Sequence, residues 1–255
     1  MFNNKITPWL HGMQKDSDVD FRLFCFSYAG GGASTYLRWR AHISKSTDIC
    51  AVQPPGREGR ISESPISDLK ILISNIADVI TPHTNIPYAF FGHCNGALIS
   101  YELFRELRRR GVTLPEHMFI SSFRSPERVN INKVLNDLPE SEFLSLLRTY
   151  GGIPDSILND KEIIQSLMPT LRADFSLHEN YRYTEEEKIN CPLTIYGGLK
   201  DNIVPRKELV GWRDMTSAGA KIKLFPGGHF FIDSHTKSVV KSINSELQSM
   251  HAVAV

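Results

Sequence analysis

The sequence predicts an α/β fold, a mostly parallel central sheet flanked by helices, and three observations predict it. Short apolar, β-rich runs alternate with amphipathic helical stretches along most of the chain. One strand-to-helix junction carries the tight turn Gly92-His93-Cys94-Asn95-Gly96. The 255 residues, 41% hydrophobic and 22% charged, suffice for one well-buried core, so a single domain is expected over 1–255.

The strands are expected at 22–26, 48–52, 88–91, 118–122, 193–196 and 221–225. Between the second and third, Leu69, Leu72, Ile73, Ile76, Val79 and Ile80 recur at helical spacing and make a face for the sheet. After the third, 97–110 reads as a helix closing on Arg108, Arg109 and Arg110, then Gly111. Cations suit the negative end of a helix dipole and glycine suits a C-terminal stop, so the arginine run reads as a solvated helix end in preference to a docking patch. Val239, Val240, Ile243 and Leu247 give a last amphipathic helix. From about 125 to 187 the alternation fails, leaving helical patterns broken by Pro139, Gly151-Gly152, Pro154 and Pro169. An all-helical insertion between two strands has the character of a lid. Its apolar residues, among them Leu135, Phe143, Leu147, Leu171 and Phe175, either pack on the body or line a substrate pocket.

A net charge of +1 gives no reason to expect nucleic acid or an anionic membrane as partner. No apolar run approaches the roughly 18 residues of a membrane span, and MFNNKITPWLHG lacks the apolar stretch of a secretory signal. The four cysteines, Cys25, Cys50, Cys94 and Cys191, show no zinc-type spacing. Cys25, Cys50 and Cys191 read as free buried thiols, which suits a reducing cytoplasm. No metal and no nucleotide cofactor is expected.

Cys94 differs, because it occupies the nucleophile position of a G-x-nucleophile-x-G elbow between the strand YAFF and the helix ALISYELFRELRRR. The turn is tight enough to strain the nucleophile's backbone and to exclude side chains on either flank. It also places the nucleophile at a helix N-terminus, where the dipole favours negative charge. Such a nucleophile needs a base, and the chain order for this elbow is nucleophile, acid, His. His229 in FPGGHFF follows the last expected strand, and Asp201 in YGGLKDNIVP follows the one before it. Asp174 and Asp233 compete for the acid, but neither follows a strand; His93 is read as structural. For an oxyanion hole, one backbone N–H is expected from Asn95 and the other from Ala29 in the loop Ser27-Tyr28-Ala29-Gly30-Gly31-Gly32. That loop lacks the Lys-Ser/Thr ending of a P-loop and the spacing of a dinucleotide site.

The successive motifs CFSYAGGGAS, AVQPPGREGRI, FFGHCNGALISYEL, LRTYGGIP, PTLRADF, YGGLKDNIVP and FPGGHFF resemble those of type II thioesterases, discrete enzymes of nonribosomal peptide and polyketide assembly lines. The resemblance runs from about Trp9 to the last helix. It implies an α/β-hydrolase core with a mobile helical lid, a triad on Cys94, His229 and Asp201, and substrate contacts at Tyr28, Gly30 and Phe230. It further implies a monomer acting on acyl or aminoacyl groups held on the phosphopantetheine of acyl or peptidyl carrier proteins, with no cofactor of its own. The family normally has serine where this chain has Cys94. Three explanations stay open: a cysteine hydrolase, a cysteine acyltransferase or cyclase, and an engineered replacement of serine. A dienelactone-hydrolase type of enzyme and a non-catalytic carrier-binding module are the remaining alternatives. The YAGGG loop and long insertion weigh against the first, and the intact His229 and Asp201 contexts against the second.

Overall fold

The computed structural model describes residues 7–129 and 135–253; the stretch 130–134, inside the expected insertion, lies outside the described residues, as do 1–6 at the start of the chain. Among the described residues, the strands β1 (Leu10–His11), β2 (Phe21–Phe26), β3 (Thr47–Val52), β4 (Tyr88–His93), β5 (His117–Ser121), β6 (Leu193–Gly198) and β7 (Ala220–Phe225) form one seven-stranded sheet in the order β1-β3-β2-β4-β5-β6-β7. All pairings from β2 to β7 are parallel, and β1 alone runs antiparallel, against β3. The six expected strands are present. β1, with two residues at the sheet edge, is too short to leave a periodic signal.

The helices are α1 (Ser34–Leu37), α2 (Leu69–Ile80), α3 (Asn95–Arg109), α4 (Glu140–Tyr150), α5 (Asp155–Leu158), α6 (Lys161–Glu179), α7 (Arg206–Leu209), α8 (Phe231–Ser234) and α9 (Thr236–Val253). Both sheet faces are covered, which is why the strands read as continuous apolar runs. In β2, Phe24 and Phe26 join the layer with Leu72 and Ile76 of α2 and Leu103, Phe104 and Leu107 of α3. Leu23 and Cys25 join the opposite layer with Tyr36, Trp39 and the Val239, Val240, Ile243, Leu247 stripe of α9. Cys25, Cys50 and Cys191 are buried free thiols. Among the described residues, no helix is long and apolar enough to cross a membrane.

Arg108, Arg109 and Arg110 form ion pairs with Glu186, Glu106 and Asp78 at the end of α3, so the run is a neutralised helix terminus.

Between β5 and β6 the described residues include the helices α4 to α6, which gather their own apolar cluster of Phe143, Leu147, Leu158, Ile164, Leu171 and Phe175. Pro139 and Pro154 precede α4 and α5, and Gly151 ends α4. Pro169 departs from expectation, because α6 runs through it. The carbonyl deprived of its N–H partner belongs to the exposed Gln165, while Ile164, Leu171 and Phe175 anchor the helix on both sides.

At the β4–α3 junction the backbones approach too closely for side chains at Gly92 and Gly96. A Cβ on Gly96 would lie 2.0 Å from the Phe26 carbonyl oxygen, and one on Gly92 would lie 2.0 Å from the Gly96 carbonyl oxygen. Neither neighbour is a side chain that could swing away. Gly96→Ala is therefore expected to cost more than about 3 kcal/mol of stability, read as a lowered urea midpoint; a parental midpoint would contradict the close approach.

Candidate active site

β4 ends at His93 and α3 begins at Asn95, leaving Cys94 alone to reverse the chain. Its backbone adopts φ 53° and ψ −121°, outside the regions open to L-residues. The Cys94 N–H donates to the Ser121 carbonyl at 2.8 Å, tying the turn to the end of β5. The thiol therefore stands at the carboxyl edge of the sheet, where β2 and β4 adjoin and the strand order reverses, the usual place for a ligand in an open parallel sheet.

Asp201 and His229 arrive from the loops after β6 and β7. His229 Nδ1 and Asp201 Oδ2 are 2.9 Å apart, and the imidazole also interacts electrostatically with the Cys94 side chain. Asp201 accepts further hydrogen bonds at 2.9 Å each from the Ser122 hydroxyl and from the N–H groups of Ile203 and Val204. Both oxygens of this buried carboxylate are thus satisfied, and its orientation is fixed. The competing acids are engaged elsewhere: Asp174 pairs with Arg57 at 2.8 Å and Asp233 with Arg38 at 3.1 Å.

Ser122 gave no signal in the sequence, since a serine in SSFRSP belongs to no motif of this chemistry. It stands one residue past β5 at φ 44°, and that left-handed kink accompanies its hydroxyl's bond to Asp201. His93 is fully buried, with Nδ1 2.8 Å from the Ser121 hydroxyl. Its ring packs against those of His229, Phe230 and Phe231, a structural place as expected.

Cys94 and His229 open on a cavity of about 830 Å³ between the sheet edge and the helical insertion. Tyr28, Ala29, Gly30, Asn95 and Phe230 line it, together with Leu135, Leu147, Leu167, Leu171 and Phe175 of the insertion. The insertion's apolar residues therefore do both things anticipated for them, packing on one another and walling the cavity. Tyr28 and Phe230 meet edge to face with ring centroids 5.1 Å apart. Among the described residues, no protein acceptor engages the N–H of Ala29 or Asn95. The Gly30 N–H, by contrast, is donated to Asp174 Oδ2 at 2.7 Å, so Gly30 borders the cavity without offering its own donor.

The family model for the thioesterase domain matches residues 21–247. The chain belongs to the thioesterase family. It is 39% identical over 244 residues to the linear gramicidin dehydrogenase LgrE of Brevibacillus parabrevis, spanning 94% of this chain and 93% of that one. It is 36% identical over 247 residues to the gramicidin S biosynthesis protein GrsT of Aneurinibacillus migulanus, spanning 97% and 96%. Among solved structures, the RedJ thioesterase from the prodiginine pathway of Streptomyces coelicolor superposes with a TM-score of 0.84 at 30% identity, over 90% of this chain and 87% of that one. ClbQ from the colibactin NRPS/PKS pathway gives 0.87 at 29%, over 92% and 99%.

In this thioesterase the two neighbouring histidines are set apart electrostatically. Burial works to lower His229, but the Asp201 hydrogen bond and the contact with Cys94 outweigh it and hold the imidazole at about 9. Burial works to raise Asp201, and the His229 contact with the N–H and hydroxyl donors prevails and lowers it. For His93, burial and then the nearby His229 both disfavour a proton and hold it well below the ordinary histidine range. The folded protein thus binds the His229 proton more tightly than the unfolded chain does. The stability this contributes is complete below about pH 6.5 and is lost as pH rises through about 9. The unfolding free energy is expected to fall by on the order of 3 kcal/mol from roughly pH 6.5 to 9.5, and Asp201→Asn to flatten the slope. A variant with the parental slope would remove this pair as its source.

Proposed function

We propose that the protein is a type II thioesterase that removes acyl or aminoacyl groups from the phosphopantetheine arm of carrier proteins in nonribosomal peptide or polyketide synthesis. Cys94 is the nucleophile, His229 the proton carrier and Asp201 the carboxylate that orients it. The observation that carries the reading is the grouping of Cys94 with the hydrogen-bonded His229–Asp201 pair, opening on an acyl-sized cavity walled by the insertion. Support for the pathway class comes from relatives named for gramicidin biosynthesis and structures from the colibactin and prodiginine pathways. Carrier proteins as partners follow from the same likeness.

The steps follow from ordinary acyl transfer. Cys94 passes its thiol proton to His229 as its sulfur attacks the thioester carbonyl, and the N–H groups of Ala29 and Asn95 receive the developing oxyanion; the carbonyl re-forms as the bond to the pantetheine sulfur breaks. His229 protonates the departing pantetheine sulfur. Water then adds to the acyl-Cys94 carbonyl as His229 takes its proton, and the acid leaves as Cys94 is regenerated. The insertion acts as the lid over this chamber, admitting the pantetheine arm and limiting water. The first step exchanges one thioester for another and is nearly isoenergetic. Because the acyl-enzyme is itself a thioester, an amine acceptor competes with water, so acyl transfer is the second reading.

Intact-mass spectrometry of the protein mixed with acetyl- and aminoacyl-loaded carrier protein tests both. Deacylated carrier with the enzyme back at its starting mass supports hydrolysis. Label appearing on an added amine would replace it with acyl transfer, and an enzyme that never gains or releases an acyl group would end the enzymatic assignment. Cys94→Ala is expected to abolish turnover while unfolding at a midpoint within a few degrees of the parent; residual turnover at the parental rate would remove Cys94 from the mechanism.

A further inference from the structure

The loop after β2 carries the Ala29 N–H assigned to the oxyanion, and the role inferred here for Asp174 and Arg57 rests on that assignment. Gly30, Gly31 and Gly32 give this loop more conformational freedom than any other residues would. An oxyanion donor, however, must be in place before charge develops. The restraints come from far along the chain. The Gly31 N–H donates to the Tyr28 carbonyl at 2.9 Å, closing a turn with Ala29 and Gly30 at its centre and Gly30 at φ 74°. The Gly30 N–H donates to Asp174 Oδ2 at 2.7 Å. Arg57 grips that carboxylate with both arms, Nη2 to Oδ1 at 2.8 Å and Nη1 to Oδ2 at 3.1 Å, and Nη1 also donates to the Gly31 carbonyl at 3.0 Å. On the other side, the Asp174 carbonyl accepts the Asn95 side-chain amide at 2.6 Å. The two charged side chains are 7% and 4% exposed, so water does not loosen the pair.

We propose that Asp174 and Arg57 are positioning residues for the oxyanion hole. Asp174 braces both residues that donate to the oxyanion, Ala29 through its neighbour Gly30 and Asn95 through its side chain, and Arg57 cancels the carboxylate's charge. A lone carboxylate this near the reacting carbonyl would oppose the developing negative charge, and the bidentate guanidinium removes that opposition while locking the carboxylate's direction. Asp174 also lies where α6 passes from the insertion's cluster, at Leu171 and Phe175, into the main core, at Leu177. The oxyanion loop is thereby indexed to the base of the insertion.

A plain folding brace and a positioning pair differ in which reaction suffers. Alkylation of Cys94 by iodoacetamide displaces iodide from a saturated carbon and builds no oxyanion, whereas thioester cleavage does. For Asp174→Ala, kcat on acetyl-loaded carrier protein is expected to fall by roughly 10- to 100-fold, with KM little changed. Alkylation of Cys94, followed by peptide mass spectrometry, should proceed at the parental rate. Asp174→Asn keeps an oxygen for the Gly30 N–H and should recover most of kcat. Arg57→Met leaves the carboxylate uncompensated and should lose more than Asp174→Asn, and adding Asp174→Asn to Arg57→Met should restore part of that loss. Alkylation falling in step with turnover across these variants would overturn the proposal, as would an unchanged kcat. Should Asp174→Ala fail to fold, the comparison of Asp174→Asn with Arg57→Met decides alone. If the unsubstituted protein alkylates at Cys94 yet cleaves no thioester, the thioesterase reading itself fails.

Discussion

Cys94 holds a backbone conformation, φ 53° and ψ −121°, that costs an L-residue about 1–3 kcal/mol. Such a turn persists only where its surroundings over-determine it. Here β4 is hydrogen-bonded between β2 and β5, the Cys94 N–H is taken by Ser121, and α3 presses so close to β2 that only glycine fits at position 96. Once the elbow is fixed, the loops leaving β2, β5, β6 and β7 have one place to converge. Each of them contributes a residue to the wall of the cavity on which Cys94 opens.

The polar groups gathered there are unusual for so buried a place, and the carboxylates among them endure because their oxygens are satisfied, whereas Arg57 Nε, His93 Nε2 and Asn95 Oδ1 are buried without a partner among the described residues. Asp201 has donors on both oxygens, Asp174 has Arg57 and the Gly30 N–H, and the Ser122 hydroxyl spends its proton on Asp201. The two adjacent imidazoles show how environment divides identical groups. His229 meets a carboxylate and keeps a proton; His93 meets a hydroxyl and another histidine and does not.

The parts of this arrangement legible in the sequence are those whose constraint is local. The elbow shows as two glycines around Cys94 because the steric demand falls within five residues. Asp201 and His229 show because each follows a strand in the order the elbow dictates. The contacts of Ser122 with Asp201, Arg57 with Asp174 and Asp174 with Gly30 do not show, because the partners lie 79, 117 and 144 residues apart along the chain. A serine or an aspartate carries no mark of a contact made across that distance. Pro169 misleads for the complementary reason: the propensity against it is local, whereas the packing that overrides it, at Leu171 and Phe175, is tertiary.

A cysteine in this frame changes how the two halves of the proposed reaction connect. What holds the proton on His229 is first the Asp201 hydrogen bond and then its contact with the Cys94 sulfur. A protonated imidazole suits the first half, in which the departing pantetheine sulfur needs a proton. It does not suit the second, in which water must lose one. Acylation of Cys94 removes the sulfur's contribution while leaving burial, which disfavours the charged ring, in place. In the proposed reaction, formation of the acyl-enzyme would therefore move His229 toward the neutral form that can act as base. Such a change would need no movement of Asp201, which four hydrogen bonds hold in place.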